Sequence, residues 1–175
     1  MRFLPFRKEA LPELSLVAVE LRDTQYRADL ELHDRYQTFA RELMRLALAE
    51  LGGLGFLLAN VGAVKSSLFA NALRSEVVQG LGVVSVLALG VAVAASMAHG
   101  FYASDCLYHH LRALKLLVLD RTTNLARARV EESSRNANFD HAETALYLAA
   151  GALMLGTAAL GLAVILALVP PSVAP

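Results

Sequence analysis

Residues Thr144 to Val169 read TALYLAAGALMLGTAALGLAVILALV, 26 positions without Asp, Glu, Lys, Arg or His. A helix needs about 20 apolar residues to cross the ~30 Å hydrocarbon core of a bilayer. The run exceeds that length and is read as a membrane span. Working back along the chain, Val77 to Ala98 is a second uncharged run, with Gln79, Ser85 and Ser96 as its polar interruptions. A third candidate, Leu46 to Val64, contains Glu50 and Asn60, and only 14 residues separate Glu50 from Lys65. Two features favour spanning there. Lys65 can snorkel from one end, and Glu50 is expected about one turn inside the other boundary, so neither charge need reach the bilayer centre.

The expected architecture is an all-α membrane protein with three transmembrane helices. Two cytoplasmic amphipathic helical extensions are expected to form a coiled-coil-like bundle. The segments are an N-terminal amphipathic helix (1–45), a first span (46–64), a short external loop (65–76) and a second span (77–98). A cytoplasmic helix and turn (99–143), a third span (144–169) and an external tail (170–175) complete it. Charge gives the orientation, because short cytoplasmic segments collect Lys and Arg. Eight basic residues precede Leu46 and six lie between His99 and Glu143, against Lys65 and Arg74 alone in the first connection. The N-terminus is therefore placed in the cytoplasm of an inner (plasma) membrane and the C-terminus outside. No 7-to-15-residue apolar stretch follows the basic start Met1 to Lys8 closely enough for a cleaved signal peptide to be expected.

Beyond the spans the apolar residues keep a helical period. Leu32, Tyr36, Phe39, Leu43 and Leu46 alternate steps of four and three, as on the seam of packed helices. Leu107, Leu111, Leu114, Val118, Leu125 and Ala128 form a second stripe, interrupted by Arg121. The small polar residues Ser133 to Asn138 favour a turn, which would lead the chain into the third span. Within the spans small residues recur at every fourth position: Gly55, Ala59 and Ala63; Ala88, Ala92, Ser96 and Gly100; Ala152 with Gly156 and Thr157 with Gly161. Such stripes let helix backbones approach closely, within one chain or between copies.

Composition narrows the function. The chain is 56% hydrophobic and 18% charged, with 16 basic residues balancing 16 acidic ones. No net field points to nucleic acid as a partner. The single cysteine, Cys106, excludes an internal disulfide and any multi-cysteine metal site. Neither a phosphate-cradling glycine loop nor a nucleophile elbow occurs, so no enzyme activity and no cofactor is expected.

Two groups of residues could carry chemistry. Glu50, His99, His141 and Glu143 are expected at one depth near the cytoplasmic face, where a carboxylate beside imidazoles suits proton relay or gating. Gln79 and Asn60 are further intramembrane polar candidates. Asp105 with His109 and Cys106 with His110 are i,i+4 pairs, the spacing of two metal ligands on one helix, although a four-coordinate site needs donors from elsewhere. The expected function is that of an oligomerising membrane effector or channel-like protein controlled through its cytoplasmic helices. The alternative is a non-enzymatic accessory or scaffold subunit of a larger membrane complex. The expected partners are the lipid bilayer and a second copy or another membrane protein.

Overall fold

The computed structural model describes residues 21, 26–61 and 75–168. They form three helices: α1 (Arg27–Val61), α2 (Glu76–Leu119) and α3 (Arg121–Leu168). No strand occurs among the described residues. Two of the helices, α2 and α3, are long and apolar enough to cross a membrane. The third expected span, 46–64, is not among them. Below Glu50, the described uncharged part of α1 runs only from Leu51 to Val61, roughly 16 Å of helix at ~1.5 Å per residue. Most of the N-terminal amphipathic segment, Ala63, the external loop up to Arg74 and the tail 170–175 lie outside the described residues.

The chain reverses at one residue, Asp120, not at Ser133 to Asn138, through which α3 continues unbroken. Asp120 is extended, with φ −161° and ψ 109°. Its N–H still donates to the Leu116 carbonyl and closes α2, while its own carbonyl accepts from the Asn124 N–H and opens α3. Its carboxylate accepts from the Thr122 N–H at 2.9 Å and from the Thr122 and Thr123 hydroxyls at 2.7 Å each. These bonds satisfy donors that the first turn of a helix otherwise leaves unpaired. The hydroxyls of Thr123 and then Thr122, with the Thr122 N–H, hold the Asp120 carboxyl down at about 2. The polar stretch once expected to turn is needed inside the helix. Arg135 and Asn138 reach across it to α2.

α2 and α3 then run antiparallel in register from the turn. His99 meets Ala142, Asp105 meets Asn138, and Leu89 packs on Gly156. The buried positions of α3 step by three and four: Ala142, Ala145, Ala149, Ala152, Gly156, Ala159, Ala163 and Ala167. Facing them on α2 are Ser85, Leu89, Ala92, Ser96 and His99. A Cβ on Gly156 would stand 2.8 Å from Leu89 Cγ and 3.3 Å from the Leu89 backbone nitrogen, so only glycine lets Leu89 seat fully. Leu89, Leu146 and Leu153 are buried with them, but many of the large side chains point the other way. Leu87, Met97 and Phe101 on α2 and Tyr147, Met154 and Leu168 on α3 are exposed.

α1 lies along the hairpin, antiparallel to α2. Gln37 Nε2 donates to the Gly100 carbonyl at 3.2 Å, and Asp29 reaches His110. The face it buries, Ala40, Leu43 and Ala47, is rotated from the expected seam. Of that seam only Leu43 is inside; Leu32, Tyr36, Phe39 and Leu46 are 42–54% exposed. The second stripe is displaced likewise, with Ala113, Leu116 and Asn124 buried beside Ala128, and Val118 and Leu125 exposed. The reason is shared: close helix approach selects alanine at the contact and leaves large residues flanking it. The expected pair of extensions is thus joined by a third helix, since the first turns of α3 are the main partner of α2 in the polar half.

Candidate functional site

The four residues considered as metal ligands divide between two faces of α2. Asp105 and His109 face α3. His109 Nδ1 donates to Glu131 Oε2 at 2.6 Å, and Asp105 Oδ2 accepts from Asn138 Nδ2 at 2.6 Å and lies 3.6 Å from His109 Nε2. Arg112 Nε sits 3.1 Å from Glu131 Oε1, close enough for an ion pair but misaligned for a hydrogen bond. Cys106 and His110 face the space between all three helices. Among the described residues no three His, Cys, Asp or Glu side chains are grouped to hold a metal ion. Each expected ligand of the Asp105/His109 pair is spent on holding helices together.

His110 ties all three helices. Arg135 can only donate, so its 3.1 Å bond makes His110 Nδ1 an acceptor, and Nε2–H then donates to Asp29 Oδ2 at 3.0 Å. This cluster lines a half-open cavity of about 670 Å³ between α1, α2 and α3. The size is that of a small-molecule site. Tyr36, Phe39, Phe139 and Tyr147 supply aromatic walls, and His33, His99 and Cys106 line it as well.

His99 is the group that the protein leaves unfinished. It is 3% exposed, and its Nδ1 stands 2.8 Å from the Ala142 carbonyl. A carbonyl only accepts, so Nδ1 carries the proton and donates. The buried Nε2 has no hydrogen-bond partner. Burial lowers the His33 pKa below the ordinary imidazole value, with His99 adding to the shift and Asp34 opposing it. Burial also pushes the Cys106 thiol up, against the pull of Arg135 and with the help of Asp105, which disfavours the thiolate.

The expected layer of Glu50, His99, His141 and Glu143 does not form. His141 packs its ring against Tyr102 at 5.3 Å, while Glu143 joins the cavity lining. Glu50 lies elsewhere, its oxygens 2.8 and 3.0 Å from Thr157 Oγ1. Thr157 is roughly 22 Å along α3 from Ala142 at ~1.5 Å per residue. Because Asp29 of α1 is matched to His110, the same helix carries Glu50 to the middle of the Thr144–Val169 run, far past one turn. The Thr157 hydroxyl also lies 2.9 Å from the Leu153 carbonyl, and its single proton serves one acceptor at a time.

The other candidates separate. Asn60 is exposed and donates to the Phe56 carbonyl of its own helix at 2.8 Å. Gln79 is exposed and lines an apolar groove between α1 and the far end of the hairpin. Of the packing positions, Ala88, Ala92, Ser96, Ala152 and Gly156 are buried in the hairpin contact. Gly55, Ala59 and Gly161 are exposed, and nothing lies within 4 Å of a Cβ built on either glycine. His33, Asp29 and the aromatic side chains of the cavity escape sequence inspection. The first two resemble any solvated charge, Tyr36 and Phe39 are assigned to a seam, and Tyr147 to a span. No family model, curated protein or solved structure matches this chain. The chemistry therefore rests on the arrangement alone: one buried acceptor in an aromatic cavity, and one carboxyl group deep along an apolar hairpin.

Proposed function

We propose that this is a small, non-enzymatic integral membrane protein that assembles through α1 and acts as a membrane effector controlled from its polar helical end. The carrying observation is Glu50, partly exposed at mid-depth of the apolar hairpin, where it accepts a hydrogen bond from the Thr157 hydroxyl. Membrane placement is supported by burial: in the most apolar windows of α2 and α3 only 33% and 28% of residues are inside, whereas a core helix of a soluble protein is mostly buried. Small residues inside and large apolar ones outside are also what lipid-facing helices need. A carboxyl group at the bilayer centre costs a few kcal/mol on insertion scales, so it usually faces other protein or a water-filled interior. The uncovered Gly55 and Ala59 lie on the same helix and suit close approach of a second copy.

In this reading the coiled-coil-like polar bundle, Arg27 to Arg45 with His99 to Glu143, lies in the cytoplasm, following the basic bias of those segments. The rival reading is an accessory subunit in which another membrane protein covers Glu50. Native mass spectrometry from nanodiscs separates the two. A defined homo-oligomer that dissociates in Glu50→Leu supports self-assembly. A stoichiometric complex with a different protein supports the accessory role, and an isolated wild-type monomer overturns both.

A further inference from the structure

The half-open cavity of the polar half is a groove between three helices. Its floor is α2, which packs against both of the others, and its walls are α1 from Asp29 to Phe39 and α3 from Arg135 to Tyr147. Both walls carry large apolar residues that the three helices leave uncovered. Leu32, Tyr36 and Phe39 are 42–50% exposed, and Phe139 and Tyr147 are 49% and 69% exposed. The charged groups along the groove are matched already: His110 bridges Asp29 and Arg135, and the Tyr147 hydroxyl donates to Glu143. An occupant must therefore present an uncharged, apolar face of some length.

The chain carries such a face just ahead of the groove. Residues 1–20 lie outside the described part, and Leu21, the described residue next to them, is half-buried. On a helix, Leu11, Leu14, Val17, Ala18 and Leu21 share roughly a third of the circumference, with Glu13 and Glu20 on the opposite side. Pro12 and Glu13 suit a first helical turn. From Leu11 to Leu21 such a helix covers roughly 15 Å at ~1.5 Å per residue, the same rise as from Asp29 to Phe39 on α1. Residues 22–26 remain to reverse the direction, within the roughly two to eight that join helices of a bundle. We propose that residues 11–21 of this chain seat in the groove as a helix antiparallel to α1, making a four-helix bundle of the polar half. Leu11, Leu14, Val17 and Leu21 enter between the walls, and Glu13 and Glu20 stay outside. The seated segment bridges α1 to α3 and so latches the helix that carries Glu50. Seating itself does not depend on the effector reading.

Cys106, the single cysteine, lines the groove half-buried and reports on the seat. The full chain in nanodiscs is treated with a maleimide, and the labelling rate is compared for wild type, Leu14→Gln and Leu16→Gln. The two substitutions are chemically identical, but Leu14 faces the groove and Leu16 lies beside Glu13 and Glu20. Leu14→Gln should speed labelling about tenfold, equivalent to ~1.4 kcal/mol of lost seating, and Leu16→Gln should stay within about twofold of wild type. Equal rates for the two variants, or a Leu14→Gln rate equal to wild type, overturn the proposal. Linkage identifies the occupant: a short bismaleimide should join Ala18→Cys to Cys106 within one chain, and Leu16→Cys should link far less. A link between two chains gives the groove to a second copy and overturns seating of the chain's own segment, as does equal linkage at the two positions. Failure of the membrane reading is seen separately, as a chain that stays in the aqueous fraction, where the same rates are read.

Discussion

Along the apolar half of the hairpin, α2 and α3 touch through alanine, serine and glycine, with Leu89 pressed onto Gly156. Along the polar half the same two helices are joined by Glu131 with His109 and Arg112, by Asp105 with Asn138, and by Arg135 with His110. One register serves both. In the first half the contact is shape: a side chain fits where its partner has none. In the second it is directional bonding between groups that water also reaches. The comparison teaches that each half uses the interaction its surroundings permit. In the proposed membrane placement, lipid around the apolar half offers no competing hydrogen bonds but also little hydrophobic drive between helices, so packing density decides.

Substitutions that exploit this difference should rank accordingly. Leu89→Ala removes the largest fully buried side chain among the described residues and should cost about 2–4 kcal/mol of hairpin stability, read by steric-trap unfolding in bicelles. Gly156→Ala attacks the same contact from the other side by overpacking, at about 1–3 kcal/mol. A neutral result for both would mean that packing does not hold the apolar half. Glu131→Ala comes next, at about 1–3 kcal/mol, because it strands His109 and Arg112, each mostly shielded from water. Hydrogen exchange should then rise around Arg112 and Glu131 and leave Leu89 unchanged.

The smallest effect is expected at the turn and is read by pH. The folded Asp120 carboxyl sits at about 2, below the ordinary value of 3.8, so the folded state binds its proton less readily than the open state. Its contribution is present above pH ~4 and is lost as pH falls toward 2. Protection factors of the Thr122 and Thr123 amides, which are exchange rates divided by the intrinsic rate at each pH, should fall over that window. In Asp120→Asn the pH dependence should vanish, and its persistence would assign the effect to another group.

Much of this comparison is legible in the sequence. The two apolar runs mark the helices of the hairpin, and the four-residue spacing of Ala88, Ala92 and Ser96 marks a face that is buried. The same spacing in Gly55, Ala59 and Gly161 meets no neighbour, because spacing records which residues share a face and not what that face meets. The turn is misplaced because Ser133 to Asn138 carry turn-forming side chains, while the operative signal, Asp120 with threonines two and three residues on, is an N-cap with no Gly or Pro beside it. The apolar stripes of the polar half mislead by size. Large residues draw the eye, yet Ala40, Ala47 and Ala113 make the contacts. In the candidate site, His99 is legible as a polar residue ending an apolar run. The depth of Glu50 is not, since counting from a common boundary takes no account of α1 being anchored far up the polar half through Asp29.

The Asp120 turn has a consequence of scale. From His99 to Leu119, α2 continues for roughly 30 Å at ~1.5 Å per residue, stiffened throughout by α3. In the proposed placement the tip therefore stands that far clear of the headgroups, on a mast with no joint between base and summit. Anything that grips it is selected by height before it is selected by chemistry. A partner lying flat on the lipid passes beneath, and one that reaches the tip gains a lever running straight to the bilayer.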